Sequence, residues 1–84
     1  MISIVIADDH AIVREGLKRI VSSADDLRVA GEAADGTEVM QRVRESDFDV
    51  LVLDLSMPGR GGLEMARRVM ARWPQVRILV FTMH

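Results

Sequence analysis

The sequence has no cysteine, which removes disulfides, thiolate metal ligation and thiol nucleophiles from the chemistry open to it. That absence suits a reducing compartment, and a cytoplasmic location is the expectation. Long apolar runs are absent too. The run at residues 2–7 lacks a basic flank and meets Asp8 and Asp9 at once, so neither a signal peptide nor a membrane span is indicated. Aromatic residues make up only 4% of the chain and net charge is −2, with arginines scattered among acids rather than gathered in a stripe. Such a surface does not bind DNA on its own. No repeat, low-complexity tract or linker marks an internal domain boundary. What is present is 84 residues, 49% hydrophobic and 29% charged. These proportions describe a globular unit of one domain or less, which buries only roughly 60 to 65% of its unfolded surface and so has a thin stability margin.

The chain is organised around residues 48–62, where an apolar run delivers Asp54 into a Gly/Pro-rich loop. Val50, Leu51, Val52 and Leu53 are apolar on both pleat faces, as in a parallel strand covered by helices on both sides. Asp54 then falls at the carboxyl end of a central strand, which is the ligand-binding end of an open α/β sheet. Gly59, Gly61 and Gly62 let main chain approach an anion, and Pro58 stiffens the turn. Taken alone, such a residue is more often a strand-end carboxylate satisfying loop amides than a catalytic group.

Residues 2–7 read as a first buried strand closed by Asp8 and Asp9. Val13, Leu17, Ile20, Val21 and Ala24 then recur at helical spacing and predict an amphipathic helix over residues 10–24. Either Asp could cap that helix, but two adjacent carboxylates exceed what capping needs. Leu27, Val29, Gly31 and Ala33 alternate with Arg28, Ala30 and Glu32, which predicts an edge strand. Asp35, Gly36 and Thr37 offer a turn and cap for a second helix over 38–44, on Val39, Met40 and Val43. A third helix over Gly62–Arg72 places Leu63, Ala66, Val69, Met70 and Trp73 toward the core, and Pro74 stops it. Residues 76–81 form a fourth strand that ends at Thr82, on the same sheet edge as Asp8, Asp9 and Asp54. Strands alternating with helices imply a parallel sheet, and right-handed crossovers leave the order 2-1-3-4 with its switch point between strands one and three.

Three carboxylates in one crevice repel unless protons or a cation intervene. Oxygen-only ligands favour Mg2+, which takes one or two carboxylates and completes its shell with water and phosphate oxygens. A carboxylate beside such a metal can attack phosphorus, with loop N–H groups and the Thr82 hydroxyl as donors to the phosphoryl oxygens.

On these motifs the chain resembles the receiver domain of two-component response regulators: Asp8-Asp9, Asp54, Met57-Pro58 with Gly62 beyond, and Thr82, each after the expected strand. The opening Ile6-Ala7-Asp8-Asp9-His10, with Val13-Arg14-Glu15-Gly16-Leu17, is similar to the NarL/FixJ subfamily, whose regulators carry a C-terminal LuxR-type helix-turn-helix. The resemblance implies a flavodoxin-like (CheY-like) fold. It also implies that Asp54 accepts phosphate from a sensor histidine kinase, that Asp9 ligates Mg2+ directly and Asp8 through water, and that Asp54 and the Ser56 carbonyl complete the protein ligands. Thr82 would bond the phosphoryl group and shift with it, and the side chains of Ser56 and His84 would line the path of hydrolytic water. Such a module promotes its own phosphoryl transfer without being a turnover enzyme.

Members of that family continue through a further helix, a fifth strand bearing a lysine, and a last helix. The expectation is therefore a receiver fragment over residues 1–84 with no DNA-binding domain, whose only lysine, Lys18, lies in the first helix. An uncovered fourth strand, Ile78-Leu79-Val80-Phe81, would recruit a second copy of the chain and make a homodimer. Among rivals, a haloacid-dehalogenase-type phosphatase needs a second Asp where Ser56 stands, and a nucleotide-binding Rossmann unit needs glycines where Asp8-Asp9-His10 stands. From another class, the chain could be an interaction module that takes up no phosphate.

Overall fold

The computed structural model describes residues 1–57 and 62–82. Four strands and three helices alternate: β1 (Ile2–Ala7), α1 (Ala11–Ser22), β2 (Leu27–Ala33), α2 (Gly36–Glu45), β3 (Val50–Asp54), α3 (Gly62–Arg72) and β4 (Arg77–Phe81). All strand pairs are parallel and the order is β2-β1-β3-β4, as the apolar runs and crossover rules predict. Pro58, Gly59, Gly61 and His84, which the sequence reading drew on, lie outside the described residues.

The sheet separates two apolar layers. Under α2 and α3, Val5, Leu51 and Leu53 pack with Val39, Val43, Met65, Ala66 and Val69, all buried. On the opposite face α1 covers Ile4 and Ile6 through Val21 and the half-buried Leu17, while Val50 and Val52 are only partly covered. The two faces of β3 are therefore unequally buried, although its sequence is apolar throughout.

The even alternation expected of β2 is broken by a bulge. Ile4 pairs with Val29 but Val5 pairs with Gly31, so Ala30 is an extra residue on β2. A one-residue slip exchanges the faces of everything beyond it. Leu27 and Val29 consequently pack on the α1 side, whereas Ala33 joins the layer under α2 and α3. Glu32 thereby pairs with Ile6 and reaches the α1 side chains Arg14 and Lys18.

Two helical faces also differ from the expected ones. Ile20 was predicted to face the core and is 67% exposed, because the α1 contact runs through Leu17 and Val21 instead. In α3 the expected Leu63 and Met70 are exposed and Met65, which periodicity did not single out, is buried. The α3 stripe is set by Met65, Ala66 and Val69, one rotational step from the predicted one. Trp73 behaves as expected. It follows the helix, donates its N–H to the Val69 carbonyl at 2.8 Å, and packs half-buried against the core with Arg72 over its ring at 5.1 Å.

Gly62 starts α3 at a place where no side chain fits. A Cβ there would lie 2.5 Å from Leu55 Cα and 3.2 Å from the Asp54 carbonyl oxygen, both backbone atoms. Gly62→Ala is expected to destabilise the chain by about 1–3 kcal/mol, the usual cost of overpacking. Urea unfolding measures it, and an unchanged midpoint would contradict the close approach.

Candidate functional site

The carboxyl ends of β1 and β3 meet at the switch point, since Ala7 pairs with Leu53 and the next residue on each strand is an aspartate. Asp8 and Asp54 are fully buried. Asp8 donates its backbone N–H to the Ala33 carbonyl at 3.0 Å, and its own carbonyl accepts from Arg14 Nη1 at 2.6 Å. Arg14 in turn faces Glu32 at 3.4 Å, so the bulge in β2 helps anchor the β1–α1 turn.

The expected capping of α1 by Asp8 or Asp9 takes another form. His10 is the N-cap residue and makes no side-chain cap bond. Asp8 Oδ1 accepts from the His10 backbone N–H at 2.7 Å and meets His10 Nδ1 at 2.9 Å. The same ring nitrogen lies 3.1 Å from Asp9 Oδ1 and 3.8 Å from Asp54 Oδ2. His10 is thus the site residue that sequence reasoning missed. It stood next to the acidic pair in the motif, but nothing in its spacing says whether the ring turns inward. The hydrogen bond to Asp8, followed by the charge of Asp9, raises the His10 pKa above its usual value.

Ser56 fixes the orientation of Asp54. Its backbone N–H and its hydroxyl both donate to Asp54 Oδ1, at 2.8 and 2.6 Å. Burial by itself would push the Asp54 carboxyl up, yet these two donors, aided by the Asp8 carboxyl and then by His10, hold it below the ordinary carboxylate range. Asp54 is therefore a buried carboxylate kept ionised. Its other oxygen, Oδ2, is buried without a hydrogen-bond partner among the described residues, and so is Asp8 Oδ2. Buried polar atoms normally find partners, and two orphan carboxylate oxygens in one crevice suit a cation or an incoming electrophile.

One ligand atom from each of Asp8, Asp9, His10 and Asp54 falls within 4.8 Å of the others, a group that could hold a metal ion. The sequence reading places the three aspartates in one crevice, and the structure has them close together with a nitrogen, His10 Nδ1, among them. Thr82 is exposed and immediately follows Phe81, the residue paired with Asp54, whose carbonyl accepts from the Leu55 N–H at 2.8 Å. That puts it at the predicted sheet edge. Met57, expected in the loop, is buried in the layer under α2 and α3, and Gly62 packs against Leu55. Pro58 and His84 lie outside the described residues. No helix among the described residues is long and apolar enough to cross a membrane.

Comparison with known proteins agrees with this geometry. The family described as response regulator receiver domain matches residues 4–84. The oxygen regulatory protein NreC of Staphylococcus carnosus is 46% identical over 82 residues, which is 96% of this chain and 38% of that protein. A LuxR-family two-component response regulator from Aurantimonas superposes with a TM-score of 0.90 at 43% identity, covering 98% of this chain and 59% of the other. RcsB of Salmonella enterica, solved on promoter DNA with the phosphomimetic BeF3-, superposes with a TM-score of 0.93 at 32% identity, covering 100% of this chain and 71% of the other. The chain spans about 38% of the length of the curated relatives it matches.

Proposed function

We propose, from the premise that this chain belongs to the response regulator receiver domain family, that Asp54 takes a phosphoryl group from the phosphohistidine of a sensor kinase. The observation that carries this reading is the asymmetry of Asp54: Ser56 holds Oδ1 from two directions while Oδ2 is buried without a hydrogen-bond partner among the described residues. An oxygen so held is a positioned nucleophile. Oδ2 attacks phosphorus, a new O–P bond forms as the N–P bond to the donor imidazole breaks, and the imidazole nitrogen leaves with the electron pair. Because Asp54 is held below the usual carboxylate range, no base is needed to ionise it.

Mg2+ fits the donor set, since Asp8 Oδ2 is buried without a hydrogen-bond partner among the described residues and lies in one cluster with Asp9 and the Asp54 carboxylate. Asp9 would ligate it directly and Asp8 through water, with Asp54 and the Ser56 carbonyl completing the protein ligands. When bound, Mg2+ supplies neutralisation of the charge that gathers on the phosphoryl oxygens. Thr82, one residue beyond the partner of Asp54, would donate its hydroxyl to that group and shift with it. Ser56 must release its hydroxyl from Asp54 before it can meet hydrolytic water beside His84. The family's receiver domains are generally not turnover enzymes. The signal would instead pass to transcription through a C-terminal helix-turn-helix of the LuxR type, in the cytoplasm, with residues 1–84 as the receiver unit.

Incubation with phosphoramidate and Mg2+, read by intact mass, tests the reading. Wild type is expected to gain one phosphoryl group slowly, because the sole lysine of these residues, Lys18, is held by Glu15 at 2.7 Å and Glu32 at 3.0 Å rather than placed at the site. Asp54→Asn is expected to gain none. An adduct that persists in Asp54→Asn would show another acceptor, and no uptake by wild type would favour the interaction module.

A further inference from the structure

We propose that His10 Nδ1 is a metal ligand, which turns the oxygen site of the aspartates into a mixed nitrogen and oxygen site that prefers borderline divalent cations over Mg2+. The inference deepens the reading above and rests on it for the aspartate ligands. Its basis is the ring nitrogen's position: 2.9 Å from Asp8 Oδ1, 3.1 Å from Asp9 Oδ1 and 3.8 Å from Asp54 Oδ2. Donor atoms about 2.1 Å from a common octahedral centre sit about 3 Å apart along an edge, so the separations from Asp8 Oδ1 and Asp9 Oδ1 are those of neighbouring donors in one shell, and Asp54 Oδ2 lies farther off. A second observation points the same way. Asp8 Oδ2 belongs to a fully buried side chain and has no hydrogen-bond partner among the described residues, which leaves an oxygen for the same ion.

The chemistry follows from ligand softness. Carboxylate oxygens suit Mg2+, whereas imidazole suits Co2+, Ni2+ and Zn2+, which bind nitrogen far better than Mg2+ does. When an ion takes the place of the hydrogen shared with Asp8, the ring proton resides on Nε2 and the Nδ1 lone pair faces the ion. For Mg2+ the ring is a poor donor, and it must swing out to let water complete the shell. Its half-exposed side chain leaves room for that movement. His10 then acts with opposite sign on the two cations: it strengthens Co2+ binding and opposes Mg2+ binding.

Titration of the whole chain with Co2+ and, separately, with Mg2+ by calorimetry, at a pH well above the histidine range, tests this for wild type and His10→Ala. The visible Co2+ spectrum is recorded in parallel. His10→Ala is expected to lower Co2+ affinity by about tenfold or more, as losing a ligand should when losing its support alone costs that much. It should also shift the Co2+ bands, while Mg2+ affinity stays level or rises. A ratio of Co2+ to Mg2+ affinity unchanged in His10→Ala would overturn the inference and reduce the contact to a hydrogen bond with Asp8. Failure of wild type to bind Mg2+ would count against the proposed function, and the Co2+ comparison would still decide the role of His10. His10→Gln, which keeps a polar side chain without the ring nitrogen, should match His10→Ala and separates ligation from any effect on folding.

Discussion

Val80→Pro is expected to convert the homodimer that we propose into a monomer. Among the described residues β4 pairs with β3 on one side only, and its residues Leu79 and Val80 are 61% and 45% exposed. An edge that is both apolar and unpaired recruits another strand, and Arg77 is the only charge along it. The direction of the free groups can be read from the ladder. Arg77 N–H donates to the Asp49 carbonyl and the Phe81 carbonyl accepts from the Leu55 N–H. In a parallel pair the residues that bond a given neighbour alternate, so Arg77, Leu79 and Phe81 face β3 while Ile78 and Val80 turn their N–H and C=O to the open side. We propose that a second copy of the chain pairs there, antiparallel about a two-fold axis. Proline at position 80 removes a donor from the open edge and leaves the β3–β4 bonds intact. Light scattering over a concentration series should give a dimer for wild type and a monomer for Val80→Pro. Val80→Lys, which keeps the backbone and adds a charge to the edge, should match it. A wild type that stays monomeric at high concentration would end the proposal.

Asp9→Ala carries the second large effect, on cation binding. Asp8 is buried and engaged by His10, and Asp54 is engaged by Ser56, so Asp9 is the carboxylate with the most freedom to follow an ion. Mg2+ sites rest on one or two protein carboxylates, so removal of a direct one is expected to weaken binding by about tenfold or more. Thermal unfolding offers a second readout. An ion present at about 100 times its Kd stabilises the fold by about 2.7 kcal/mol, which for a domain this small raises Tm by on the order of 10 °C. Wild type should show that rise with Mg2+, and Asp9→Ala should show little of it at the same concentration. Equal rises in both would remove Asp9 from the ligand set.

Strand order and the aspartate cluster were legible in the sequence because each rests on a strong local signal. The apolar runs of β1 and β3 mark central strands, and a strand's last residue must lie at the sheet edge where its neighbours also end. The Asp35 cap of α2 was legible for a similar reason, and its side chain accepts from the Glu38 N–H at 2.8 Å. What escaped the sequence depends on a single rotation or a single residue. Nothing in Leu27, Val29, Gly31 and Ala33 announces that Ala30 bulges, because the alternation is regular and the slip is imposed by pairing with β1. Leu63, Met65 and Met70 are all apolar at positions compatible with a wide helical stripe, and only contact with the sheet selects Met65. The inward turn of His10 is a side-chain choice driven by three carboxylates that converge only in three dimensions.

The account stands on Asp54 as the acceptor, and reduction of the phosphorylated chain tests that most directly. Borohydride cleaves an acyl phosphate and leaves the former aspartate as homoserine, so peptide mass mapping reads the position of the phosphoryl group. The expected result is homoserine at position 54 alone, in an amount equal to the phosphoryl uptake. Homoserine at position 8 or 9, with residue 54 still aspartate, would contradict the account.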